Sequence, residues 1–279
     1  MTIFEKSKIM NGADLSSGEE QYKIPIKQSI MKYTAPDPFK YLAHGYEYDK
    51  NDPEVLKLLN KVWPACNCRN SCEHGHCACT KSAQPSFMKS DHDSVRNDAF
   101  NPFYVGMMIR ECTSRCRCLP IVCKNRMLSF FNNDRVWQMQ KKVSVFKTKY
   151  CGWGLRAEEF CDVGDFIGPY IGKLIDPRYV DDDFRDKADY CMNIIGSPLV
   201  IDAQAQGNAL RFANHHCDPN MDQVQVVIEG HIPLVCFYAN QRIYPGEELT
   251  FNYGDQYWKT VKDSNPNISC RCGSKHCPY

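Results

Sequence analysis

The sequence predicts a mainly β fold of several small sheets flanked by cysteine-rich metal modules. Three observations carry this. From Lys141 onward the short runs VSVFKT, FIGPYIGKLI, PLVIDA, QVQVVIEG and LVCFYANQRI are rich in β-branched and aromatic residues and alternate with Gly, Pro and Asp turn signals. Of seventeen cysteines, twelve fall in two knots and a C-terminal group. The 279 residues, 43% of them apolar, suffice for one sizeable core and a smaller accessory module. A formal net charge of +1 argues against a protein that coats nucleic acid, and no sequence-specific nucleic-acid binding is expected. There is no run of eighteen apolar residues, and the opening MTIFEKSKIMNGAD lacks the apolar stretch of a secretory signal. A soluble, intracellular chain with no membrane partner is expected.

Residues 1–65 read as an accessory region that braces the rest. Within it, DPEVLKLLNKVW spaces Val55, Leu58, Leu59 and Val62 as one face of a helix. A zinc-cluster module follows at 66–126. Cys66, Cys68, Cys72, Cys77 and Cys79 form its first knot, and Cys112, Cys116, Cys118 and Cys123 its second. The polar stretch from Thr80 to Arg110 between them reads as a surface loop. In a reducing compartment, such dense thiols indicate metal rather than disulfides. Three tetrahedral zinc ions need twelve metal–sulfur bonds, and nine thiolates supply them when three are shared. Such a cluster carries an excess of three negative charges, which Arg69, Arg115, Arg117, Lys124 and Arg126 are placed to offset. Separate mononuclear sites using His74 or His76 are the competing arrangement. The β-rich region spans 141–258, and the tail at 268–279 holds Cys270, Cys272 and Cys277, one ligand short of a tetrahedron. Cys151, Cys161, Cys191 and Cys236 fall in strand-like or turn-like segments and are expected to be buried or half-buried.

Three motifs then occur in order: CGWGLRA at 151–157, RFANHHCDPN at 211–220 and GEELTFNYGDQYW at 246–258. With the flanking cysteine groups they resemble the SET-domain lysine methyltransferases, in particular the branch acting on lysine nine of histone H3. That branch joins a nine-cysteine pre-SET module, a SET core and a three-cysteine post-SET tail. The resemblance runs from about Cys66 to Cys277, with a weaker echo at SSGEEQYKIPI, 16–26. It implies small, curved sheets in which RFANHHC threads beneath a loop formed by TFNYG. It also implies a nuclear, chromatin-associated enzyme using S-adenosylmethionine and zinc, three ions in the pre-SET cluster and one in the tail. The partner implied is the histone H3 tail or the nucleosome.

By the same resemblance, Cys151, Gly152 and Trp153 line the cofactor pocket, and glycines 152 and 154 let the main chain approach closely. Asn214 and His215, with Arg211 and Phe212 beside them, hold the cofactor, and Cys217 completes the tail's zinc site. Tyr253 and Tyr190 are the expected catalytic hydroxyls, and both also face the cofactor. Phe251, Tyr170, Met192 and Tyr257 line the lysine channel. Phenylalanine at 251 implies di- or trimethyl product. Asp183, in the acidic DDDFRDKAD run, is a candidate for receiving a basic tail added as a strand. Pro169, Lys173, Met192, Asn193 and Asn252 depart from the family pattern, so a catalytically silent chromatin-binding protein and an enzyme for a non-histone lysine stay open.

Overall fold

The computed structural model describes residues 12–27, 36–72, 77–81, 108–123, 125–126, 128, 135–179, 190–229 and 232–279. His74, His76, Lys124 and Asp183 lie outside them. In chain order the elements are β1 (Ile26–Lys27), β2 (Lys40–Tyr41), α1 (Pro53–Leu59), α2 (Ala78–Lys81), β3 (Met108–Arg110), β4 (Val143–Lys147) and β5 (Trp153–Ala157). There follow β6 (Phe166–Tyr170), β7 (Gly172–Ile175), β8 (Cys191–Asn193), β9 (Val200–Gly207), β10 (Asn214–His215), β11 (Met221–Val227), β12 (Leu234–Ala239), β13 (Thr250–Phe251) and α3 (Asp255–Ser264). The mainly β expectation is met by four small sheets: β1-β4-β5, β3-β11-β12-β6, β2-β9-β7 with β8 also on β9, and β10-β13. No described helix is long and apolar enough to cross a membrane.

Strand β12 explains how these sheets share one interior. All six of its residues are buried, as in a strand covered on both faces. Side chains alternate across a strand, so Val235, Phe237 and Ala239 enter the larger core while Leu234, Cys236 and Tyr238 enter a second, smaller one. Phe237 is fully buried, a stabilisation of about 2–3 kcal/mol.

The N-terminal segment is built into these sheets. β1 runs parallel to β4, with Ile26 opposite Val145, and β2 runs parallel to β9. Leu15, Ile24 and Ile26 are fully buried or nearly so. Helix α1 starts where Asp52 accepts hydrogen bonds from the amides of Glu54 and Val55, with Pro53 at the first helical position. It is shorter than its apolar spacing suggests: it stops at Leu59, which leaves Val62 79% exposed. The predicted loop from Thr80 to Arg110 is also regular at its ends. Ala78–Lys81 is helical, and Met108–Arg110 joins β11 with Arg110 fully buried. Cys161 and Cys236 are buried and Cys191 is half-buried, but Cys151 is exposed, because it sits in the open turn closed by Thr148 and Gly152.

Candidate active site

The two segments carrying the second and third motifs are bound to each other. β10 pairs in parallel with β13, setting Asn214 opposite Thr250 and His215 opposite Phe251, and the His216 amide donates to the Phe251 carbonyl. The chain thereby brings RFANHHC and TFNYG together across a gap of more than thirty residues. Asn220 locks the crossing: its side-chain oxygen accepts from the Thr250 amide at 2.9 Å, and its amide donates to the Glu248 carbonyl at 2.8 Å.

An aromatic cage stands at this junction. Phe251 and Tyr253 have ring centroids 4.7 Å apart, Tyr253 meets Tyr257 edge-on at 4.8 Å, and Phe237 backs Phe251 at 4.8 Å. Such edge-to-face contacts fix ring orientation. The Tyr253 hydroxyl donates to the Ala213 carbonyl at 3.0 Å. Burial, with the neighbouring Tyr170, Tyr257, Cys151 and Tyr190, pushes its pKa well above the ordinary tyrosine value, so it keeps its proton. Tyr170, 4% exposed, donates its hydroxyl to the Tyr190 carbonyl at 2.7 Å, and Met192 lies two residues on, also buried. Tyr190 packs under the Arg211 guanidinium, 4.2 Å from its ring centre.

The residues expected to hold a cofactor separate into two groups. Arg211 donates to the carbonyls of Ala203 and Gln204, and Phe212 is 4% exposed. Their side chains are committed to the interior. Asn214 and His215 are half-buried. Asn214 donates both amide hydrogens within the protein, to the Trp153 carbonyl at 3.1 Å and to Glu248 Oε1 at 2.9 Å, which leaves its oxygen as an acceptor. Gly152 has φ of +74°, a conformation glycine adopts without strain. Gly154 has a packing reason: a Cβ there would meet Thr148 Cγ2 at 2.6 Å and Glu248 Oε1 at 2.8 Å. Glu248, which its sequence context did not single out, thus packs against Gly154 and accepts from Asn214.

His215 connects this wall to the tail. Its Nδ1 accepts from the Tyr253 amide at 3.1 Å, and its Nε2 lies 3.2 Å from Cys217 Sγ. Burial, and secondarily His216, lowers its pKa to about 4, so the ring is neutral at pH 7. Cys217, Cys270, Cys272 and Cys277 bring their sulfurs within 4.8 Å of one another, the set that a tetrahedral zinc site requires. Tyr279 stacks on Trp258 at 5.1 Å and 18°, and its hydroxyl bonds Asp255 at the start of α3. No spacing rule pointed to Tyr279; its role depends on the folded position of the tail.

In the other module the sulfurs form three overlapping tetrads: Cys66, Cys79, Cys112 and Cys116; Cys66, Cys72, Cys112 and Cys118; and Cys66, Cys68, Cys72 and Cys77. Cys66, Cys72 and Cys112 recur in more than one tetrad, with sulfurs 3.4 Å apart for Cys66 and Cys72 and 3.3 Å for Cys72 and Cys112. Cys123 is buried beside them and shares a hydrogen bond with Cys112. That shared proton pushes the Cys112 thiol up, while hydrogen bonding from Cys112 pulls Cys79 down to about 5. The expected counter-cations mostly face solvent: Arg69, Arg115 and Arg117 are exposed. Arg126 reaches Cys118 Sγ at 3.8 Å, and the fully buried Arg110, not foreseen, donates to the carbonyls of Pro64 and Ala78 at 2.6 and 2.7 Å.

Among the departures, Pro169 contributes its carbonyl to Asn208, and Asn252 caps the Gly254 amide. Lys173 and Asn193 are exposed.

Comparison with known proteins gives these features a context. The family described as SET domain matches residues 152–254, and that described as Pre-SET motif matches residues 16–126. The histone-lysine N-methyltransferase EHMT1 of Mus musculus is 28% identical over 95% of this chain, which spans 20% of that relative. The H3 lysine-9 specific SUVH1 of Nicotiana tabacum is 32% identical over 95% of this chain, which spans 36% of it. The chain thus spans about a fifth to a third of the curated relatives it matches. Among solved structures, SUVH6 of Arabidopsis thaliana in complex with SAM is 26% identical, with a TM-score of 0.67 over 98% of this chain and 57% of that one. KRYPTONITE in complex with mCHH DNA, H3(1-15) peptide and SAH is 25% identical, with a TM-score of 0.63 over 95% of this chain and 52% of that one.

Proposed function

The chain belongs to the family of SET-domain proteins that carry a pre-SET motif, and from that premise we propose that it is a protein-lysine methyltransferase acting on a histone H3 tail, at lysine 9. The observation that carries the proposal is the junction of β10 and β13. It sets the half-buried Tyr253, whose hydroxyl is held by the Ala213 carbonyl, an aromatic cage and the Asn214–His215 pair against a four-cysteine tail. The curated relatives it resembles are named histone-lysine methyltransferases, and a similar solved structure contains an H3(1-15) peptide and SAH, which supports the reading.

S-adenosylmethionine supplies an electrophilic methyl group on a sulfonium. This chain's residues have two tasks, alignment and proton control. The Asn214 oxygen, left free of protein donors, accepts from the ligand's ammonium or amine groups, and the main chain at Gly152 and Trp153 lies alongside. Tyr253 and Tyr190 orient the amine so that its lone pair points at the methyl carbon, and Tyr253 keeps its proton to do so. Tyr170 holds the Tyr190 main chain, and Phe251, Met192 and Tyr257 form walls whose faces suit an alkylammonium group. Without a second hydroxyl at 251 the cage has room for an amine that already carries methyl groups, giving di- or trimethyl product.

The cysteine tetrads fit zinc. The three tetrads draw on eight thiolates, and Cys123, beside Cys112, is the ninth; with Cys66, Cys72 and Cys112 each shared by two ions and the other six terminal, nine thiolates would hold three ions, and the Cys217 tetrad would hold a fourth. Cys217, Cys270, Cys272 and Cys277 would hold the tail ion, and Cys217 reaches the Tyr253 main chain through His215, so bound zinc would support the site without taking part in the chemistry. A chromatin-associated nuclear location follows from the substrate.

The test uses zinc-replete full chain, S-adenosylmethionine and H3 tail peptides with single lysine-to-alanine changes. Loss of methylation with the lysine-nine change alone is expected. Equal methylation of every peptide, or of none, overturns the assignment.

A further inference from the structure

Strand β8 carries Met192 and directly follows Tyr190, so the position of this strand sets the geometry of the lysine channel. Its register pairs Met192 with Ile201, and the Ile194 amide donates to the Leu199 carbonyl at 3.3 Å. In an antiparallel ladder alternate residues direct their main-chain groups toward the partner. Residues 192 and 194 therefore face β9, while the main-chain groups of Asn193 and Ile195 face the outer edge.

That outer edge meets a side chain from another sheet. Gln225 of β11, only 5% exposed, accepts from the Ile195 amide at 2.8 Å and donates to the Asn193 carbonyl at 2.7 Å. A carbonyl and the amide two residues later are the pair that one residue of a parallel neighbouring strand engages. The glutamine amide thus takes the place of an added strand at this point. It is also a direct link between the sheet containing β11 and the one containing β8, and both of its bonds are short. A buried amide needs such partners, which makes the arrangement specific. The turn beyond is separately closed, by the Ser197 amide to the Ile194 carbonyl and by Gly196 at φ +73°.

We infer that Gln225 is a positioning and specificity-determining residue: it closes the β8 edge at Ile195, so that a lysine-bearing peptide strand pairs with β8 no further than Asn193, and it holds β8 at the height the lysine channel requires. This rests on the reading above that the substrate is a peptide lysine. Peptide residues beyond that stop make no main-chain ladder bonds with β8, so selectivity concentrates in the few residues around the target lysine.

The test compares wild-type full chain with Gln225→Leu and with Gln225→Met, the latter unbranched and close in volume so that a packing defect is not mistaken for the lost amide. Amide hydrogen exchange at Ile195 in the free protein is expected to accelerate about tenfold in both variants. With an H3 tail peptide, KM for the peptide rises about tenfold while KM for S-adenosylmethionine is unchanged. Unchanged exchange at Ile195 in an active protein overturns the clamp, and so does a parallel rise in both KM values. A wild-type chain inert on every peptide instead overturns the substrate reading and, with it, the docking role.

Discussion

At Tyr253 the useful property is a hydroxyl that does not ionise. Burial raises its pKa, so it stays protonated through the range where an ordinary tyrosine begins to lose its proton. The substrate lysine behaves oppositely: with an unperturbed pKa of about 10.4, its reactive neutral fraction grows about tenfold per pH unit below that value. Methyl transfer measured under single-turnover conditions is therefore expected to climb steadily from pH 7 to pH 9, with no downturn from Tyr253; a flat or falling profile contradicts this assignment. At position 251, Phe251→Tyr adds a hydroxyl to the cage and is expected to shift exhaustive product toward monomethyl-lysine, read by mass spectrometry. The motif residues were legible in the sequence because each lies inside a dense local pattern. Glu248 and Gln225 were not, because their roles depend on partners thirty or more positions away that only the fold brings close.

Among the elements, β-rich texture located β4, β6, β7, β9, β11 and β12, since alternation and turn residues are local signals, whereas β5, β8, β10 and β13, two to five residues long, gave no such run. The spacing of Val55, Leu58, Leu59 and Val62 gave the helix but not its end, because the cap at Asn60 stops it before Val62 is reached. β3 was hidden in a polar stretch: only pairing with β11 makes MIR a strand, and only the cysteine module gives a fully buried Arg110 a reason to be there. Arg110 ties Pro64, next to the first knot, to Ala78 in the helix that carries Cys79, and it lowers the Cys79 pKa by its charge. Arg110→Leu removes both hydrogen bonds and the buried countercharge. Zinc release to a colorimetric chelator is expected to be at least about tenfold faster than in wild type, with Arg110→Lys intermediate; identical release rates would show that the cluster needs no internal cation.

Across the whole molecule, two cysteine-rich modules flank a β core, and the tail module meets the Asn214–His215 segment through Cys217. The cysteine groups were fully visible in the sequence, but the connection through His215 was not, since it needs β10 and β13 side by side. Cys277→Ser is expected to lose about one zinc per chain and to abolish cofactor binding by calorimetry, while the pre-SET metal and the β circular dichroism signal persist. Retained cofactor binding after loss of that zinc would separate tail from site. Methyl transfer at Tyr253 is tested by a single-turnover assay of zinc-replete wild type and Tyr253→Phe, with S-adenosylmethionine binding measured on both. Methylated H3 peptide is expected from wild type, with a loss of about a hundredfold or more in the variant and binding intact; no transfer by a wild type that binds cofactor, or full activity in the variant, rules out that role for Tyr253.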